Sequence, residues 1–142
     1  MKKKGKIIIG CILICLVGII GVYEYININQ NNNFKISQVS WNGETKFWTD
    51  NTQNNMYDIK FQIFDGTDLK EITSDKSNYS MKIDSTAENG ELKIKIYNDK
   101  KTLFEKNGTT NKTITILNSD SKNVRIEITG KKAKGHIKIK LT

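Results

Sequence analysis

The sequence predicts an all-β domain, an antiparallel β-sandwich of roughly eight or nine short strands. One N-terminal transmembrane helix precedes it. Three observations lead there. Apolar and polar residues alternate strictly in segments such as GELKIKIYND, NVRIEITG and GHIKIKL. Turn-forming dipeptides recur between these segments, and after the leader no window of a dozen residues carries a helical period.

Residues 1–26 form a basic start and an apolar run. Lys2, Lys3, Lys4 and Lys6 precede a stretch from Ile7 to Val22 that holds no charge. As a helix this stretch is about 24 Å long, a little under the bilayer core of about 30 Å. Tyr23 and Tyr25 follow at the position of an interfacial belt, and Lys6 can snorkel at the other end. No small-residue cleavage pattern ends the run. The expectation is an uncleaved single-pass signal anchor at the cell membrane, with the N-terminus cytoplasmic and the rest extracytoplasmic.

Ile8-Ile9-Gly10-Cys11 resembles the lipobox of bacterial lipoproteins, which would make Cys11 a lipidation site. Only three apolar residues precede Gly10, too short a run for that processing. Cys11 and Cys15 therefore read as small apolar residues one helical turn apart. No cysteine follows them, so the exported part has no covalent staple of that kind.

Residues 27–33 (NINQNNN) read as a polar tether, and 34–142 as the exported domain. The strands expected in it are Phe34–Ser40, Lys46–Thr49, MYDIKFQIF, Tyr79–Ile83, GELKIKIYND, Thr102–Lys106, Thr113–Leu117, NVRIEITG and GHIKIKL. In MYDIKFQIF the apolar side is Tyr57, Ile59, Phe61 and Ile63. The turns expected between strands are Asn42-Gly43, Asp65-Gly66, Asn89-Gly90, Asn98-Asp99, Asn107-Gly108 and Gly130. Clean alternation of apolar and charged faces suits a sandwich, with jelly-roll topology as the candidate connectivity.

Both tryptophans fall within WNGETKFW, Trp41 to Trp48. A type I′ turn at Asn42-Gly43 would pair Trp41 with Glu44 and Val39 with Lys46. Trp41 and Trp48 would then share one face, as a sugar-stacking platform requires. The same face is apolar enough to be the core face, so both readings stand at this point.

The net charge of +8 is uneven: six basic against ten acidic residues over 27–91, thirteen against four over 92–142. Lys93, Lys95, Arg125, Lys138 and Lys140 point away from the apolar sides of their strands. If the strands are neighbours, these lysines make one cationic face suited to anionic lipid or wall polymer. A solvated, edge-protecting lysine face explains them equally well. Nucleic acid is not expected, because the cations lack interleaved aromatics and the domain lies outside the cell.

Little supports catalysis. His136 is the only histidine, and neither a phosphate-binding loop nor a dinucleotide fingerprint occurs. Sites of His or Cys metal ligation are excluded, and no cofactor is implied. Asp65, Asp68 and Glu71 offer oxygen donors to Ca²⁺, but the spacing is that of a polar turn.

The segments GELKIKIYNDKKTLFEK and NVRIEITGKKAKGHIKIKL resemble the end of small exported cell-envelope proteins and lipoproteins of low-GC Gram-positive bacteria. The shared pattern is a strand ending in a turn, an LFEK-type strand, and a strand closed by a G-x-x-x-x-G connection, here Gly130 to Gly135. The resemblance implies an envelope-located sandwich and carries over no catalytic residue.

The sequence thus leads to a non-enzymatic, membrane-anchored binding module. Its partners would be a cell-wall glycan, an anionic polymer or another envelope protein. Trp41 and Trp48 would stack on the ligand, and Lys93, Lys95, Lys138 and Lys140 would contact anions. The other reading is an accessory or immunity-type interaction protein of a membrane complex.

Overall fold

Alternation of apolar and polar residues builds the strands, and in three of them the alternation changes phase part-way. A computed structural model describes Asn33–Thr142. The expected anchor, Cys11 and the tether up to residue 32 lie outside the described residues.

Seven strands form: β1 (Phe34–Lys46), β2 (Thr49–Asp50), β3 (Met56–Ser74), β4 (Tyr79–Tyr97), β5 (Thr102–Asn107), β6 (Thr110–Ile116) and β7 (Val124–Leu141). One 3₁₀ turn, Asn118–Asp120, precedes β7, and no α-helix occurs among the described residues. All pairings are antiparallel, in the order β1-β3-β7-β4-β5, with β2 also on β3 and β6 also on β4.

The strands β3, β4 and β7 are 18 or 19 residues long. In β3 the buried residues are Tyr57, Ile59 and Phe61, then Phe64, Asp68, Lys70 and Ile72. Gln62 and Ile63 both face outward between Phe61 and Phe64, where the register slips. Strand β7 does the same at Lys131-Lys132, where Lys132 has φ 48°, and β4 does so over 88–91. Each is a β-bulge, an extra residue that bends its strand and restores the apolar side to the interior.

These bends fold one sheet onto itself. One layer contains β1, 67–74 of β3, 124–129 of β7, 92–97 of β4 and β5. The other contains β2, 56–61 of β3, 135–141 of β7, 79–87 of β4 and β6. Phe34 from the first meets Tyr79 from the second edge-on at 5.3 Å. Between them lie Ile59, Ile83, Ile94, Ile126, Ile128, Ile137 and Ile139, all inaccessible to solvent. Each such isoleucine contributes about 1.5–3 kcal/mol of burial.

The expected architecture is therefore correct as an antiparallel, all-β sandwich, but with fewer and longer strands. Tyr79–Ile83 and GELKIKIY are halves of β4, and NVRIEITG and GHIKIKL are halves of β7. The segment 67–74, assigned to no strand by its alternation, is the second half of β3. Asn98-Asp99 lies in a true turn and Asn107-Gly108 runs from the end of β5 into another, whereas Asp65-Gly66, Asn89-Gly90 and Gly130 lie within strands. Glycine is required there by close approach. Gly43 pairs with Gly66, and Gly66 with Gly130, in a row across three strands. A β-carbon on Gly66 would lie 2.5 Å from the α-carbon of Gly43, inside any tolerable contact.

Gly66→Ala is expected to lower the unfolding free energy by about 3 kcal/mol, because the clash is with backbone that cannot step aside. Gly108, at φ 74° in a turn with open space around it, is the comparison. Gly108→Ala should lose only the left-handed backbone term of about 1–2 kcal/mol. Urea denaturation of both variants measures the difference; equal losses would contradict the corner.

Candidate functional site

Strand β1 is a sheet edge, and its course decides the fate of both tryptophans. It runs straight through Asn42-Gly43, with Trp41 opposite Asp68, Gly43 opposite Gly66 and Lys46 opposite Ile63. No hairpin forms at Asn42-Gly43, so Trp41 does not pair with Glu44, nor Val39 with Lys46. The expected co-facial pair is corrected accordingly. Trp48 turns into the core, stacked on Phe61 at 5.9 Å and edge-on to Phe64 at 5.3 Å. Trp41 stays 45% exposed. One ring is structural and one is presented to solvent.

Trp41 has apolar company on this edge. Val39, at the bulge of β1, and Ile63, opposite Lys46, are both exposed. Ile63 was expected on the inner side with Phe61, and the bulge at 62–63 reverses it. Phe47, which leads from β1 toward β2, is 78% exposed and has φ 52°. A bulky residue in that left-handed region costs about 1–3 kcal/mol. Beside it a groove of 410 Å³ is lined by Glu44, Lys46, Gln62, Ile63, Asp65, Asn89, Lys132 and Lys134.

Inward of Trp41 lies a polar cluster that the alternation pattern did not reveal. Asp68 and Lys70 occupy inner positions of β3 and are 1% and 5% exposed. The Lys70 ammonium donates to Asp50 Oδ2 at 2.8 Å and to Gln38 Oε1 at 3.0 Å. It lies 5.5 Å from the centre of the Tyr57 ring. Asp68 accepts from the Tyr57 hydroxyl at 2.8 Å and from Gln38 Nε2 at 2.6 Å. Gln38 Nε2 also reaches the carbonyls of Ser40 and Leu69, which fixes the amide orientation. Thr52 N–H donates to Asp50 Oδ1 at 2.9 Å.

This cluster closes the side of the sandwich between the free edges of β1 and β2, with Trp41 on the same side of β1 as Gln38 and Asp68. Burial alone would push the Asp50 carboxyl up, but hydrogen bonds from Lys70 and Thr52 outweigh it and hold the group below its ordinary 3.8. Burial first, and the Asp68 charge second, drive the Tyr57 phenol well above its ordinary value. Lys70 and Asp68 are the buried charges, 3.9 Å apart, and removing either one costs about 3–5 kcal/mol, because the other is left uncompensated. The available signal was TDLKEIT, whose Asp68 and Lys70 fall in phase with Ile72 once the bulge is recognised.

The lysines do not converge. Lys93 and Lys95 stand outside the layer that contains β5, with Lys93 on Glu105 at 2.9 Å and Lys95 over the Tyr97 ring at 5.0 Å. Lys138 and Lys140 stand outside the opposite layer, and Lys138 lies 3.8 Å from Asp58. Strands β4 and β7 are neighbours as expected, yet the corner sends their two halves to opposite sides of the domain. Lys131 and Lys134 lie at that corner on Glu91 and Glu88. The carboxylates of FDGTDLKE also disperse: Asp68 faces inward, Asp65 is exposed, and Glu71 pairs with Arg125 at 3.2 Å.

No family model matches the chain, and no curated protein does. Among solved structures it is similar to a family 29 carbohydrate-binding module, at 16% identity and TM-score 0.34 over 76% of this chain and 86% of that one. A variant of a family 29 module used to probe ligand recognition gives 15% identity and the same TM-score over 88% of its length. The enzymatically active domain of a bacteriophage CBA120 tailspike protein gives 10% identity and TM-score 0.32, over 19% of that chain. At these TM-scores no residue correspondence is drawn, and the site stands on its own geometry.

Phe47→Gly is expected to raise stability by about 1 kcal/mol, since glycine adopts φ 52° without strain and no buried contact is lost. Thermal unfolding checks it, and a lowered midpoint would mean that Phe47 packs after all. The pH dependence has a definite sign on both limbs. Asp50 titrates lower folded than unfolded, so its contribution is present above the unfolded value of 3.8 and is lost as pH falls below that, through the lower folded value. Asp50→Asn should therefore flatten the acid limb of a stability–pH curve. Burial pushes the Tyr79 hydroxyl, which has no hydrogen-bond partner among the described residues, up to about 12. Its contribution is present below pH 10 and fades between 10 and 12, and Tyr79→Phe should remove that loss without lowering neutral-pH stability.

Proposed function

We propose that this chain is a membrane-anchored, non-catalytic binding module on the outer side of a bacterial cell membrane, and that its ligand is a glycan held at the open side between β1 and β2. The observation that supports it is Trp41: a large flat ring, 45% exposed, at the border of a rigid polar cluster. A sugar offers both an apolar face for the ring and hydroxyls for hydrogen bonds. Two-sided recognition of this kind needs an anchor that does not move. Gln38, Asp68 and Lys70 hold that stretch of β1 against β3. The dispersal of the lysines gives less support to an anionic polymer, because cations on opposite faces cannot bind one strand together.

A second reading has an observation of its own: the outer edge of β1 presents unpaired backbone groups beside the exposed Val39 and Trp41, as strand addition by another envelope protein requires. Titration of the full chain in detergent with soluble cell-wall glycan fragments separates the two. Trp41→Ala should weaken glycan binding by about tenfold or more, the equivalent of 1.4 kcal/mol. Glycan should also shield Trp41 from acrylamide quenching while Trp48 emission stays unchanged. Fragments that neither bind nor shield would remove the glycan reading.

A further inference from the structure

The polar groups at the open side divide into those a ligand can reach and those it cannot. Asp68 and Lys70 are buried, and the Tyr57 hydroxyl is turned onto Asp68. Gln38 Nε2 has two hydrogens and three acceptors around them: Asp68 Oδ1 and the carbonyls of Ser40 and Leu69. These four side chains leave no donor facing out. Asp50 is different, with its side chain 32% exposed. Its Oδ2 accepts from Lys70 and its Oδ1 from the Thr52 N–H, so each oxygen keeps acceptor capacity to spare. The carboxyl titrates below its ordinary 3.8 and is therefore ionised at neutral pH.

We propose that Asp50 sets the class of ligand: the glycan held beside Trp41 is a neutral or amine-bearing sugar that donates hydrogens to this carboxylate, and acidic glycans are turned away. The inference rests on the glycan reading of the open side and narrows it. Charge points the same way as the hydrogen-bond accounting. Two carboxylates, Asp50 and Asp68, against one ammonium, Lys70, leave this side with one negative charge. An exposed, ionised acceptor forms its strongest hydrogen bonds with hydroxyl and ammonium donors, and it repels a second carboxylate or a phosphate. The Trp41 ring works in the same sense, since its face attracts a cation.

The placement suits a ligand that lies across the opening. Asp50 pairs with the buried Ile59 on β3, and Trp41 pairs with the buried Asp68, so both occupy inner positions of their strands. The ring borders the open side from β1 and the carboxylate borders it from β2. Between them Lys70 bonds to Asp50 and to Gln38, which fixes the carboxylate relative to β1. Lys70 and Thr52 are thus positioning residues, and Asp50 is the group that meets the ligand.

The test is a titration of the full chain, in a detergent without a sugar headgroup, with tetrasaccharides of glucose, N-acetylglucosamine, glucosamine and galacturonic acid. Each is repeated on Trp41→Ala, so that only binding at this side is counted. Glucosamine or a neutral tetrasaccharide should bind, and galacturonate should be weaker by about tenfold or more through like-charge repulsion. Asp50→Asn removes the charge and keeps one acceptor oxygen, and it should narrow that gap to about threefold. Galacturonate that binds through Trp41 as tightly as the neutral sugars would overturn the inference while leaving the glycan reading intact. A gap unchanged in folded Asp50→Asn would do the same. If that variant does not fold, salt decides on the wild type: at 1 M, where screening acts within about 3 Å, the gap should shrink, and a gap indifferent to salt overturns the inference. Binding of none of the four removes the glycan reading and this inference with it.

Discussion

The rest of the structure depends on one geometric constraint: β3, β4 and β7 must each serve both layers of the sandwich. A strand that simply continued would turn its apolar residues outward after the bend. The extra residues at 62–63, 88–91 and 131–132 restore the phase, and the row Gly43, Gly66 and Gly130 lets the backbones pass at the corner. The isoleucine-rich interior follows from that correction. The hydrogen-bonded strands continue around the corner, so the two layers are one sheet.

Folding the sheet in this way leaves one side between the edges of β1 and β2 with too little apolar surface to close it. Strand β2 spans two residues and contributes Asp50 where a longer strand would contribute further aliphatic side chains. Polar groups close the gap instead, and the two that are removed from water, Asp68 and Lys70, must each be partnered. Lys70 answers Asp50, Asp68 takes the Tyr57 hydroxyl, and Gln38 joins the two acids through the lysine and its own amide. The rigidity of this side is thus a consequence of desolvation. It places an exposed Trp41 beside a fixed polar floor, and it sets two carboxylates around one amine.

The same corner explains the electrostatics. Lys93 and Lys138 lie on neighbouring strands and both face outward, yet they look out from opposite layers. Several surface cations are satisfied locally by Glu88, Glu91, Glu105 and Asp58. The strong positive charge of 92–142 is therefore spread around the domain and does not form a single face.

The sequence by itself determined the fold class, because period-two alternation in KIKIY, RIEIT and IKIKL requires a strand with one buried side, whatever the strand pairs with. It also marked the turns at Asn98-Asp99 and Asn107-Gly108, where local backbone chemistry suffices. It could not distinguish an Asn-Gly or Asp-Gly turn from a glycine in a bent strand. Both need the same residue, and only the neighbour across the sheet differs. Tertiary structure alone decided that Gly43 meets Gly66, that Trp48 is core while Trp41 is exposed, and that Asp68 and Lys70 face inward. Those outcomes follow from register, and register is set by partners in other strands, Gly66 for Gly43, Ile128 for Asp68 and Lys60 for Thr49 beside Trp48.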